Sequence, residues 1–204
     1  MTFDFISTIL MISTEQIKKL RDITGISIMQ CKKALEETGG DEEKALLVLR
    51  KKSSDIAAKK GDRVLGAGVV ESYIHSNKTV GTLVELSCET DFVARNEEFR
   101  ILARDIAMHI TATNPEYIDS SEVSDISRAK VTEMFKKEVE ESGKPADIQM
   151  KMMEGKLAAY FAERTLLAQL FIKNPDITIE NLINNGVQKF GEKIKVSRFI
   201  RFII

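Results

Sequence analysis

Three observations predict an α+β fold for this chain. Apolar residues recur at helical spacing, with capping signals, over residues 13–60. The period then drops to two over residues 67–87, and alternation returns over residues 193–203. Helices followed by an antiparallel sheet and further helices are the α+β order. The pattern divides the 204 residues into an extension (1–10), a helical domain (11–62) and an α+β core (63–204). Hydrophobic residues make up 43% and charged residues 30% of the chain, enough apolar material for one or two globular domains. A net charge of −1 provides no broad cationic field, so a protein surface is a better partner than a nucleic-acid backbone.

The opening MTFDFISTIL is apolar, but it contains Asp4, has no Lys or Arg before Lys18, and is too short to span a bilayer. It reads as neither signal nor anchor. Met11 directly precedes the first patterned helix, so residues 1–10 are expected to be a weakly ordered extension or to lie upstream of the true start.

In the helical segment, Ser13 with Gln16 has capping-box spacing, Ile17, Leu20 and Ile23 share one side, and Gly25 can stop the helix. Ser27 with Gln30 repeats the box, with Ile28, Cys31 and Leu35 forming the next stripe before Gly39 and Gly40. Asp41 is placed to cap a third helix. Glu42 and Glu43 suit its dipole, and Ala45, Val48 and Leu49 face inward. The helix runs through Lys59 and Lys60 to the boundary at Gly61 and Asp62.

Beyond it, residues 67–75 and 79–87, joined by Ser76, Asn77 and Lys78, predict a hairpin. Asn96 starts a helix with Phe99, Leu102, Ile106 and Ile110 on one face, ending near Asn114 and Pro115. Two more helices are expected over residues 121–141 and 145–163, with Gly143 between them and Pro145 in a first turn. An apolar stretch, residues 166–172, precedes Asn174 and Pro175. Thr178 caps a last helix through Ile179, Leu182 and Ile183, and residues 193–203 form a strand.

Candidate chemistry is sparse. His75 and His109 have no Cys or carboxylate pair at ligand spacing and read as structural or surface residues. Gly66-Ala67-Gly68 lacks the Gly-Lys-Ser/Thr of a phosphate loop and reads as a flexible strand entry. Cys31 and Cys88 show neither CxxC nor metal spacing, and both read as small core residues in a reducing compartment. No catalytic residue, metal set or cofactor is expected. The segment CETDFVARN, residues 88–96, stands out because a loop between a strand and a helix presents side chains from a rigid base. Pattern alone leaves Phe92 either tucked beneath that loop or displayed from it.

Several blocks, in order, resemble the elongation factor Ts family. They are IKKLRDITGISIMQCKKALEETGGDEEKALLVLR, VVESYIH, GTLVELSCETDFVARNEEF followed by AMHI and NPEYI, GKLAAYFAERTLLAQLFIKNP, and VSRFIRF. The resemblance implies a non-enzymatic, cytoplasmic guanine-nucleotide exchange factor for elongation factor Tu. It implies a ubiquitin-associated-like helical domain joined to a single α+β core, with no direct nucleic-acid or membrane partner. Thr90, Asp91, Phe92 and Val93 become the loop that dislocates the partner's magnesium ion. Ile28 and Met29 become contacts of the helical domain. The C-terminal half, with its RFIRF strand, is expected to meet a second domain of the partner or another copy of the chain. Departures from the family pattern fall at Ala67, where no acidic residue precedes the following glycine, at Leu170 in place of a proline, and at the FII end. Two other readings compete: a peptide-binding adaptor built on the helical domain, which has no use for TDFV, and an RNA-associated protein using Lys51, Lys52, Lys59 and Lys60.

Overall fold

The computed structural model describes residues 12–204; the expectation for residues 1–10 lies outside them. Helices α1 (Thr14–Thr24), α2 (Ile28–Glu37) and α3 (Glu42–Lys59) form the first unit. At α1 the capping box is complete: Ser13 Oγ accepts from Gln16 N and Gln16 Oε1 accepts from Ser13 N, both at 3.1 Å. Gly25 ends the helix at φ 68°, a left-handed conformation that costs glycine little. At α2 only the forward arm of the second box forms, Ser27 Oγ accepting from Gln30 N at 3.4 Å. Asp41 caps α3 by accepting from Lys44 N at 3.0 Å. Leu20, Ile26, Cys31, Ala34, Leu35, Ala45 and Leu49 are buried as this unit's own core. Each fully buried leucine contributes ~1.5–3 kcal/mol of transfer free energy, enough to hold short helices that are marginal alone.

Strand β1 (Ala67–Ile74) pairs antiparallel with β2 (Val80–Cys88) as predicted, the turn placing Lys78 at φ 62°. The C-terminal strand β5 (Lys195–Ile203) joins the free side of β2, so the sheet order is β1-β2-β5. One face of this sheet, with Thr82, Val84 and Leu86, packs on helix α5 (Glu97–Thr113), which buries Phe99, Leu102, Ile106 and Ile110 as its spacing requires. Helix α8 (Ile179–Phe190), capped by Thr178, completes the core with Ile179, Ile183 and Val187. Gly68 is corrected from flexible entry to close approach: a Cβ there would meet Leu86 O at 2.6 Å. The glycine lets two backbones touch.

Helices α6 (Asp125–Glu140) and α7 (Ala146–Arg164) form a hairpin over a smaller cluster of Val123, Val131 and Phe161, flanked by Phe135 and Tyr160. The expected start at residue 121 moves to Ser124, which caps α6, because residues Ser120–Glu122 form a separate 3₁₀ turn. The apolar stretch after α7 becomes a second such turn, Leu166–Ala168, and then strand β3 (Leu170–Phe171). It pairs with β4 (Asn174–Thr178), a small ladder absent from the predicted pattern.

The helical unit rests on the core through α3 and α8. Ile56 and Ala57 pack against the main cluster, Ser53 Oγ donates to Gln188 Oε1, and Arg50 donates to the Asp176 carbonyl. Lys60 Nζ reaches Gly191 O at 2.7 Å.

Candidate functional site: a clamped loop at the end of the central strand

The central strand ends at Cys88, and residues 89–96 carry the chain to α5. Within them a single helical turn, α4 (Asp91–Ala94), divides the loop into an inner and an outer side. Val93 is 4% exposed and Ala94 is also buried, so the turn is bolted to the main core. This placement forces the neighbouring ring outward: Phe92 is 81% exposed. The two positions left open for Phe92 by sequence pattern therefore resolve to the displayed one. Val93, grouped by the TDFV motif with the displayed residues, is buried and anchors the turn, because a one-turn helix resting on a core must bury one side.

Asp91 is exposed and pairs with Arg95 at 2.9 Å, an i,i+4 ion pair in open solvent that contributes only tenths of a kcal/mol. Thr90, at the N-cap position, makes no cap hydrogen bond. Its hydroxyl donates instead to Glu192 Oε1 at 2.6 Å. The other Glu192 oxygen accepts from both Glu89 N and Thr90 N at 3.0 Å. In return, Glu89 Oε1 accepts from Lys193 N at 2.6 Å, and Arg63 lies 3.2 Å from the same carboxylate. The Lys193 N–H, and then Arg63, hold the Glu89 carboxyl below its ordinary pKa.

Cys88 lies under the loop and its thiol donates to Thr90 O at 3.2 Å. Burial first, and then the charge of Glu192, push its pKa up to about 11, so it is an unreactive packing thiol at neutral pH. Cys31 is raised too, chiefly by burial. His109 is fully buried. Its Nε2 donates to Gln169 Oε1 at 2.9 Å and its Nδ1 accepts from Ile172 N at 3.4 Å, which fixes a neutral tautomer; burial lowers its pKa. His75 is exposed, 3.2 Å from the Tyr73 hydroxyl.

Ile28 and Met29 stand apart from the loop, in the first turn of α2, 54% and 82% exposed. The stripe that places Ile28 inward with Cys31 and Leu35 is corrected. The buried face centres on Cys31, Ala34 and Leu35, and Ile28 lies roughly 65° from that centre at 3.6 residues per turn. Of the four basic residues near the end of α3, Lys52 pairs with Glu37 at 2.8 Å and Lys60 binds the Gly191 carbonyl. Leu170 is exposed in β3, and at the C-terminal end Ile204 N donates to Thr79 O at 3.0 Å.

Sequence reasoning missed Glu192 and the role of Glu89. Neither sits in a patterned position, and the Gly191 stop of α8 is the only nearby local signal.

Fold and loop together define an α+β protein with a small helical unit at its N-terminal side and one aromatic ring held out from a rigid turn. The sequence profile described as "Elongation factor TS" matches residues 42–204. The chain is 48% identical over 192 residues to elongation factor Ts of Carboxydothermus hydrogenoformans, covering 94% of this chain and 88% of that protein. It is 46% identical over 194 residues to that of Thermosipho melanesiensis, covering 95% and 99%. Against that of Desulforamulus reducens it is 49% identical over 191 residues, covering 94% and 88%. The chain belongs to the elongation factor Ts family.

Proposed function

We propose that this chain accelerates guanine-nucleotide exchange on elongation factor Tu, without covalent chemistry, by driving Phe92 against the partner's nucleotide domain. The observation that carries the reading is the pairing of an 81% exposed phenylalanine with a loop base that buried Val93 and Ala94 anchor and that Glu192 holds by hydrogen bonds at Glu89 and Thr90. A ring displayed to solvent gains ~1.5–3 kcal/mol when a partner buries it. A rigid base directs that gain into displacing the partner rather than into bending the loop. Mg²⁺ in the partner requires near-octahedral oxygen coordination, so a shift of about an ångström in its ligands weakens nucleotide binding steeply. Asp91, exposed beside the ring, orients the loop or competes for a donor near that ion. Nucleotide and factor then weaken each other reciprocally, and the cellular nucleotide pool sets the direction.

Residues 11–62 act as a docking domain in this reading and residues 63–204 as the exchange core, with Ile28 and Met29 supplying the docking contact. The outer face of the sheet supports a second contact. Val70, Leu83, Ile200 and Phe202 are exposed there on adjacent strands, and a second domain of elongation factor Tu or a second copy of this chain would cover them. No described helix is long and apolar enough to cross a membrane, and a cytoplasmic site of action accords with the proposed partner.

Stopped-flow release of labelled GDP from elongation factor Tu tests the function. The wild-type chain should speed release in a concentration-dependent way, and release that stays at its spontaneous rate at saturating chain sinks the proposal. Calorimetry should show no tight binding of GDP or GTP to the chain alone.

A further inference from the structure

We propose that Glu192 is a positioning residue for exchange: its carboxylate sets the angle at which the loop presents Phe92. This rests on the exchange reading above. Glu192 follows Gly191, whose left-handed conformation at φ 72° turns the chain sharply out of α8 and directs the next residue toward the end of β2. There the carboxylate accepts three hydrogen bonds from two consecutive residues, the Glu89 and Thr90 amides at 3.0 Å and the Thr90 hydroxyl at 2.6 Å. These donors lie just before α4, and Thr90 is the residue on which α4 begins. A four-residue helix has too few internal bonds to hold its own direction. Val93 and Ala94 fix one side of the turn to the core, and Glu192 fixes its start. With both ends of the lever held, the backbone sets the direction in which Phe92 leaves the turn.

The opposing arm strengthens the assignment. Glu89, whose amide Glu192 holds, accepts in turn from Lys193 N at 2.6 Å and from Arg63 at 3.2 Å. Lys193 Nζ also donates to the carbonyls of Gly61 and Arg63. Glu192 thus satisfies the Glu89 amide, while Glu89 satisfies the amide of Lys193, the residue after Glu192. These bonds join three segments far apart in sequence: the α8–β5 turn, the loop base and the chain leaving α3. Charged acceptors of this kind form shorter and stronger hydrogen bonds than neutral ones. The arrangement reaches no reacting atom, so its effect on exchange passes through Phe92.

A double-mutant cycle on the full chain separates this role from plain stability. Glu192→Ala should slow GDP release at saturating factor by about tenfold. The concentration giving half the maximal rate should stay within about twofold, because docking elsewhere is untouched. Glu192→Gln keeps an acceptor of the same shape and should retain most of the rate. In the Phe92→Ala background, Glu192→Ala should add almost nothing, since the group it positions is gone. Hydrogen exchange should show the Glu89 and Thr90 amides losing protection in Glu192→Ala. Full additivity of the two losses overturns the proposal, as does retained amide protection. If Phe92→Ala slows exchange and Glu192→Ala does not, only the positioning role falls; if Phe92→Ala leaves the rate unchanged, the exchange reading of the loop falls first and takes this role with it.

Discussion

Two apolar displays face solvent in this molecule, and they are built in opposite ways. Met29 with Ile28 stands in the first turn of a capped ten-residue helix, held by the small core of Leu20, Cys31, Ala34 and Leu35. Phe92 stands on a four-residue turn with no side-chain cap of its own, held by Val93 and Ala94 beneath and by Glu192, which grips Thr90 from 102 residues away. The first display borrows local helix physics and the small core of its own unit. The second borrows the rigidity of the main core. A contact that only docks needs apolar area; a contact that must push another protein's ligands aside needs a fixed base.

The largest effect should come from Phe92, the proposed pushing contact. Phe92→Ala is expected to lower partner-stimulated GDP release at saturating factor about thirtyfold, the equivalent of ~2 kcal/mol of barrier. Its melting temperature should match the wild type, because the ring is solvent-exposed. A large drop in melting temperature with normal exchange per folded molecule would return Phe92 to the core and erase the contrast. Asp91→Ala separates orientation from direct disruption of the ion site, costing less than Phe92→Ala in the first case and more in the second.

The neighbouring residue should behave in the reverse sense. Val93→Ala deletes buried methyl groups under the loop and should destabilise the core by about 2 kcal/mol, lowering the melting temperature by roughly 4–8 °C for a chain of this size. Exchange per folded molecule should fall less than for Phe92→Ala. Equal stability in the two variants would show that the loop is not bolted where its burial indicates.

A smaller effect is expected from Met29, the proposed docking contact. Met29→Ala should raise the factor concentration for half-maximal exchange about fivefold, or ~1 kcal/mol, while the saturating rate holds. A fall in the saturating rate instead would give both displays the same job.

The smallest effect is in pH. Burial lowers the pKa of His109, so the unfolded chain binds a proton that the folded core does not as pH falls below the ordinary value near 6.5. Core stability should be full above pH 6.5 and decline as pH drops from there toward the folded pKa. Both histidines lie outside residues 11–62, so the helical unit lacks this loss. Melting followed by hydrogen exchange at pH 7 and pH 5 should show the α5 amides weakening more than the α1–α3 amides. Equal loss in both, or none after lowering the pH, would remove His109 as the cause.

What residues can say about neighbours three or four places away, the sequence determined. The Ser13–Gln16 box, the Asp41 and Thr178 caps, the buried face of α5 and the β1–β2 hairpin all depend on short spacings that the backbone geometry enforces. The blocks around TDFV were equally legible as a family resemblance. Tertiary structure alone decided which residues of the loop face outward, because Phe92 and Val93 are adjacent and both apolar, and only the position of the core beneath distinguishes them. It also decided that Ile28 lies at the flank of its helix, that β5 pairs with β2, and that the carboxylate of Glu192 ends at the Thr90 amide. Each of these joins segments whose separation along the chain carries no periodic signal, so a hydrogen bond or a packed side chain becomes visible only once the fold has closed the distance.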